Sequence, residues 1–366
     1  MTPVLLHETI FAPNAHWCNP AVECGIFPGI CVKPDGSLAL LAVCGSDFES
    51  ADQRVVAYAG SADGTQWTPC GDWGEIRSNG HLFNVAAKPT LLPDGTILAL
   101  GYGYERERPD LSISEYAEKF GHFPTVRNFV AYSRDGGRTY TPPEFLDLPH
   151  GGVEFSGPAI VLPDGRLLAF GPPFSVAAEG QLGICYESTD QGHTWREKSV
   201  FHHGGNITAW ETRAACLPDG RLAVVFWAFD LEAQKHLPNR LAVSDDGGAS
   251  WRLVDTGLPG QAANLLIAPD GDALQVIYAK REGDEPGVYC ARGVLRGTGF
   301  EVSRTDRLYD VTGGANAKGQ ITTQFYNLKF GQPSLTRLAD GTALLLFWRK
   351  STAGRYEIVI RKFAQA

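Results

Sequence analysis

CVKPDGSLALLAV at 31–43, TLLPDGTILAL at 90–100 and IVLPDGRLLAF at 160–170 open a series. It continues with ACLPDGRLAVVF at 215–226, LIAPDGDALQVIYA at 266–279 and TRLADGTALLLFW at 336–348. In each copy an Asp-Gly pair separates two apolar runs. Glycine supplies the positive φ of a tight reversal, so the local reading is strand, hairpin, strand. The hairpin aspartates are Asp35, Asp94, Asp164, Asp219, Asp270 and Asp340, separated by 59, 70, 55, 51 and 70 residues. Dividing 366 residues among six copies gives about 61 each, too long for a lone hairpin and suited to a four-stranded unit.

A second motif follows the hairpin in four copies: SADGTQW at 61–67, SRDGGRTY at 133–140, STDQGHTW at 188–195 and SDDGGASW at 244–251. Each follows a strand-like run such as VVAYAG, NFVAYS, LGICYES or RLAVS. The aspartate can bond the turn's own amides, glycine permits the reversal, and the aromatic ring packs back between units. Asp135, Asp190 and Asp246 are therefore assigned to turn stability and given no chemistry.

Composition agrees with such a chain. Hydrophobic residues make up 43% and charged residues 20%, enough to bury a core and too little charge for disorder. A formal charge of -9 with a pI near 5.5 argues against nucleic acid or an anionic membrane as partner, since both demand dense positive charge. The first twenty residues lack the basic and apolar regions of a signal peptide, and no stretch approaches 18 uninterrupted apolar residues. A cytoplasmic location is expected. Eight cysteines in 366 residues are too sparse for a disulfide scaffold and read as buried thiols. The spacings of Cys18, Cys24 and Cys31 fit no common zinc pattern. No metal and no cofactor are expected, and nothing in the sequence fixes the oligomeric state.

The pattern Ser-x-Asp-x-Gly-x-Thr-Trp resembles the Asp-box of the sialidase-like (BNR repeat) superfamily, whose members are six-bladed β-propellers. Together the boxes and hairpins cover nearly the whole chain. The resemblance implies an all-β fold: a single six-bladed, sialidase-like β-propeller over residues 1–366. The first box is one residue short, and the last two copies have none. SISEYAEKF at 112–120 is the one stretch with a helical period and is read as part of a long loop in blade two. VLLHETIF near the N-terminus is expected to pair with RYEIVIRKF near the C-terminus, removing an open sheet edge.

In a four-stranded blade the hairpins and Asp-boxes share one face, so the chemistry belongs at the other, around the central channel. Counting back eight residues from each hairpin Asp gives Phe27, Ala86, Ser156, Glu211, Ala262 and Gln332; counting back six gives Gly29, Lys88, Pro158, Arg213, Asn264 and Ser334. Only the fourth copy pairs an acid with a base. Glu211 matches the position of the catalytic glutamate that precedes a Pro-Asp-Gly turn in sialidases; its other reading is an ion-pair partner of Arg213. The rest of that apparatus is missing. Pro28 and Gly29 stand where the family has its first arginine, Trp227 where it has the second, and Gln332 near the tyrosine nucleophile, with Tyr326 upstream. Lys280, Arg281 and Arg349 remain as replacements for the third. An ordinary sialidase is therefore not expected.

Glu154 shares strand parity with Glu211 one blade away, and two glutamates can flank a sugar ring as proton donor and as nucleophile or base. Exo-arabinanases of the same fold use such a pair. Glu154 is equally readable as a loop residue. Asp47 and Asp52 lie in the loop after the second strand of blade one, where sialidases place their acid/base aspartate. At the channel mouth, where Arg106 would also lie, the rings of Trp210, Trp227, Phe229, Tyr102, Tyr104 and Trp348 would stack on sugar faces, and Lys88, Arg213, Arg281 and Arg349 would suit an acidic substituent. His81, His122, His202 and His203 fall in loops of that face. The expected function is an exo-acting glycoside hydrolase on a carbohydrate that is non-sialic or an atypical acidic sugar. A noncatalytic carbohydrate-binding propeller is the competing class. A uronate lyase, with a loop histidine or tyrosine as base, is the third.

Overall fold

Strands flanking the hairpins are apolar without alternation because both of their faces are covered. The computed structural model describes residues 3–11, 23–268, 271, 273–311, 320–325 and 327–364. In it, Leu38–Gly45 and Leu222–Trp227 are buried throughout. Leu222, Val224 and Phe226 pack on Leu168 and Phe170 of the preceding unit. Their neighbours Ala223 and Val225 pack on Leu265 and Val276 of the following one. The period of two thus divides one strand between two cores.

Successive, mainly antiparallel units make up an eight-stranded, a five-stranded, a four-stranded and a second eight-stranded sheet among the described residues, with one two-stranded pair besides. The first unit runs through Cys24–Val32, Leu38–Gly45, Arg54–Gly60 and Trp67–Asp72. The inner strands of the next five are His81–Leu91, Ile160–Val161, Trp210–Cys216, Gln261–Ile267 and Phe330–Arg337. Apolar clusters join units one and two, two and three, three and four, four and five, and five and six. A further cluster packs Leu344 and Leu346 of unit six on Leu38 and Leu40 of unit one. Val4–Phe11 pairs antiparallel with Tyr356–Ala364, as the sequence leads one to expect, and forms the outermost strand of unit six.

The turns behave as their chemistry dictates. In the first hairpin Gly36 adopts φ 81° and donates its N–H to the Lys33 carbonyl, while the Asp35 carboxylate accepts from the Ser37 amide at 2.9 Å. Asp270 of the fifth hairpin lies outside the described residues. In the boxes, Asp135, Asp190 and Asp246 each accept from backbone N–H groups and hydroxyls of their own turn. The Trp251 ring reaches Phe170 and Phe201 of the preceding unit. Four cysteines are buried and three half-buried, all free; Cys18 lies outside the described residues. The 112–120 segment forms a helix, Ile113–Phe120, with a Ser112/Glu115 capping box. Among the described residues no helix is long and apolar enough to cross a membrane.

Candidate functional site

On the face away from the hairpins, the pairing of the two inner strands slips in four units. The slips lie between Ile26 and Gly29, Trp210 and Arg213, Gln261 and Asn264, and Gly331 and Ser334. One residue in each slip is left-handed: Phe27, Glu211, Ala262 and Gln332, with φ of 53°, 49°, 49° and 46°. Every one is eight residues before its hairpin Asp. Non-glycine residues enter this region at a cost, and a bulge re-aims its side chain. Phe27, Glu211 and Gln332 are turned into one cleft, whose empty volume, open solvent included, is about 710 Å3.

Glu211 meets Glu154 in this cleft. A bridge between Val153 and Pro173 and a bond from the Glu154 amide to the Pro172 carbonyl fix the segment that carries Glu154. Its Oε1 accepts from the Ser156 hydroxyl at 2.8 Å and its Oε2 from the Glu211 amide at 3.2 Å. Burial, followed by the charge of Glu211, raises Glu154 to about 7. Gln332 Nε2 donates to Glu211 Oε1 at 3.0 Å, whereas Glu211 Oε2 is buried without a protein partner. The pair therefore combines a carboxyl held toward its protonated form with a carboxylate oxygen that lacks a protein partner.

A third acid was missed by sequence reasoning. Glu49 lines the cleft, and its Oε2 accepts from the Ser114 amide at 2.8 Å in the first turn of Ile113–Phe120. Burial raises its carboxyl, against the pull of the Ser114 amide and Arg106. Arg106 Nη1 also holds the Glu49 carbonyl at 3.1 Å. The signal was a carboxylate in the expected loop, two to three residues from those singled out. Asp47 and Asp52 instead are exposed and do not line the cleft. Asp52 accepts from Ser46 and Ser50, and Asp47 from the Phe48 amide, so both tie the loop to itself.

Aromatic rings form most of the wall. Trp210 and Trp227 meet edge to face at 5.4 Å, and the Trp227 indole N–H donates to His236 Nδ1 at 3.1 Å. Tyr102, Tyr104, Phe174 and Trp348 continue the lining, but Phe229 lies behind it, stacked on Trp210. The phenols of Tyr102 and Tyr104 are pushed up, first by burial, and make poor bases. Among the described residues no histidine lines the cleft. His81 is exposed and pairs with Glu105, His202 is bonded to the Ile207 carbonyl, and His203 is exposed. His122 borders a neighbouring pocket. None of these four histidines is placed to act as a lyase's base in the cleft.

The cations also sit elsewhere than at the mouth. Arg349 is engaged by Glu357 and Tyr309. Arg281 is 1% exposed, behind Trp227, with its Nε donating to the Phe330 carbonyl at 2.9 Å. Lys88 and Arg213 lie below the cleft. Arg213 Nη1 bonds the carbonyls of Glu211 and Thr212 at 3.1 Å, so the expected ion pair with the Glu211 carboxylate is not made. Two residues along a strand advance about 6.6 Å, which puts these side chains one layer deeper than Glu211. Tyr326 lies outside the described residues. Among the described residues no cluster of three His, Cys, Asp or Glu could hold a metal.

The sequence matches no protein-family model, and no curated protein matches it. Solved structures do. A protein of unknown function from Dyadobacter fermentans is similar at TM-score 0.73 and 19% identity, covering 100% of this chain and 99% of that one. The Penicillium chrysogenum alpha-L-arabinanase, solved with arabinobiose, is similar at TM-score 0.62 and 14% identity over 98% and 97%. The NanB sialidase of Streptococcus pneumoniae, as its K499G mutant, follows at TM-score 0.63 and 12% identity over 92% and 68%. At these identities what is shared is the fold: a nearly all-β architecture common to sialidases and an arabinanase.

Proposed function

We propose that this chain is a single-domain, six-bladed β-propeller of the sialidase-like superfamily that hydrolyses the terminal glycosidic bond of an uncharged sugar. The observation that carries the reading is the Glu154–Glu211 pair, two half-buried residues from neighbouring units on one aromatic-walled cleft. Glu154, raised to about 7, gives its proton to the glycosidic oxygen as the bond to the anomeric carbon breaks. Glu211 attacks that carbon, to be displaced by water in a second step, or takes a proton from the attacking water. Gln332 holds the other oxygen of Glu211 in place.

Three features narrow the substrate. Among the described residues no lysine or arginine lines the cleft and three glutamates do, which favours a neutral sugar over the acidic one considered from the sequence. Aromatic walls suit the apolar faces of a pyranose or furanose. Beneath the cleft, Lys88 ties units one, two and six together, donating to the carbonyls of Phe27 and Pro28 and to Gln332 Oε1. A base tied in this way suits a chain end. The similar fold of an arabinanase supports the same class of reaction. The test is release of sugar from aryl glycosides and short oligosaccharides of neutral pentoses and hexoses by the native chain and by Glu211→Gln. Loss of turnover with binding retained supports hydrolysis; binding without turnover by the native chain supports the carbohydrate-binding alternative.

A further inference from the structure

Below Gln332 lies a second cavity, with an empty volume of about 660 Å3, open solvent included. It reverses the charge of the cleft above. All six residues that stand six before the hairpin aspartates line it: Gly29, Lys88, Pro158, Arg213, Asn264 and Ser334. Two are cations, one is an amide and one a hydroxyl, and no carboxylate joins them.

Both cations are built in. Lys88 and Arg213 are each 5% exposed. A Cβ on Gly29 would stand 2.7 Å from Lys88 Cδ, and one on Gly157 3.0 Å from Arg213 Cδ, so glycine leaves the space their stems occupy. Their hydrogen bonds go to carbonyl groups, four from the backbone and one from Gln332, and among the described residues neither makes an ion pair with a carboxylate. Burying charge without a counter-ion is costly. Burial and then Arg213 hold the Lys88 ammonium well below its usual range, as two like charges in one dry space require. On Arg213 only Nη1 is used by the protein, which leaves the Nε–Nη2 edge for a side-on ligand. Ser334 Oγ is buried with no partner.

We propose that this lower cavity binds a small oxyanion, a carboxylate or phosphate group, side-on against Arg213, with Ser334 donating its hydroxyl and Lys88 supplying charge. A guanidinium edge presents two parallel N–H groups at the spacing of two oxyanion oxygens, and a halide cannot use both equally well. The site is independent of hydrolysis in the cleft above and stands if that reading fails.

Calorimetric titration of the full chain with sodium phosphate and, separately, sodium acetate tests this, at ionic strength held constant with sodium chloride. Saturable binding of one or both is expected, and the salt that binds more tightly distinguishes phosphate from carboxylate. Arg213→Gln should weaken it by at least about tenfold. Ser334→Ala removes a hydroxyl that the protein does not use, so it folds and should weaken binding severalfold. Glu49→Gln, in the other cavity, should leave binding unchanged. Absence of saturable binding to either salt, or equal binding by the native chain and Ser334→Ala, overturns the proposal.

Discussion

The amide of Glu211 donates to Oε2 of Glu154 at 3.2 Å, so the backbone of one candidate residue orients the carboxyl group of the other. Glu211 is left-handed at φ 49°, a conformation that non-glycine residues rarely adopt without a return elsewhere. The bulge therefore acts on both members of the pair. It turns the Glu211 side chain into the cleft and its N–H toward the neighbouring unit.

This contact sets a pH dependence. Burial and the charge of Glu211 raise Glu154 from 4.5 to about 7. Between those values the folded chain keeps a proton that the unfolded chain has released. Stability from this group is full below about 4.5 and is lost as pH rises through about 7. Turnover, which needs the protonated acid, should fall over the same upper limb. Glu211→Gln removes the repelling charge, so the Glu154 carboxyl resonance, followed by 13C NMR, should titrate lower than in the native chain. Titration near 4.5 in both would contradict the coupling.

Loop acids of the first unit separate by position. Glu49→Gln should lower kcat/KM by about tenfold, since it alters a buried cleft wall and a contact to Ser114. Asp52→Asn should leave kcat/KM within about twofold and cost about 1 kcal/mol of stability through Ser46 and Ser50. Steady-state kinetics with thermal melts on both variants gives the comparison, and the reverse order would place the cleft acid at Asp52.

Asp135→Ala tests the turn assignment of the boxes. The carboxylate accepts from the amides of Arg138 and Thr139 and the hydroxyls of Ser133 and Thr139. Removing it should cost about 1–3 kcal/mol, read as a lower denaturant midpoint, with kcat/KM unchanged. A kinetic defect without a shift in midpoint would give this aspartate a chemical role.

Removing residues 1–11 deletes the strand Val4–Phe11 and leaves Tyr356–Ala364 as an exposed edge. It also takes away Phe11, which stacks on Tyr58 of unit one at 5.3 Å. The truncated chain should lose cooperative unfolding or aggregate. An unchanged melting curve would show that the outermost strand contributes nothing to closure.

Hairpin spacing made the strand plan legible, because Asp-Gly turns and two-faced apolar runs are local signals. Glu211 and Glu154 were singled out by counting back from the hairpin aspartates, and they meet although the slip at Glu211 breaks strand parity and Glu154 lies ahead of the strand Ile160–Val161. The cations were misplaced for a related reason. Parity does not report depth along a strand, and Lys88 and Arg213 lie one layer below Glu211. Glu49 and Phe48 were hidden because a loop has no period to count. Glu49 is fixed by the remote helix Ile113–Phe120 and by Arg106. Bulges at Phe27, Glu211 and Gln332 were equally silent, for none of the three carries the glycine that usually marks a left-handed residue.

The most direct measurement is the rate of sugar release from neutral glycosides by the native chain, Glu211→Gln and Glu154→Gln at pH 6. Turnover by the native chain is expected, with a loss of at least about a hundredfold in Glu211→Gln and in Glu154→Gln a loss that shrinks with an activated aryl leaving group. Equal rates in the native chain and Glu211→Gln, or binding of sugar by the native chain with no release, would contradict hydrolysis by this pair.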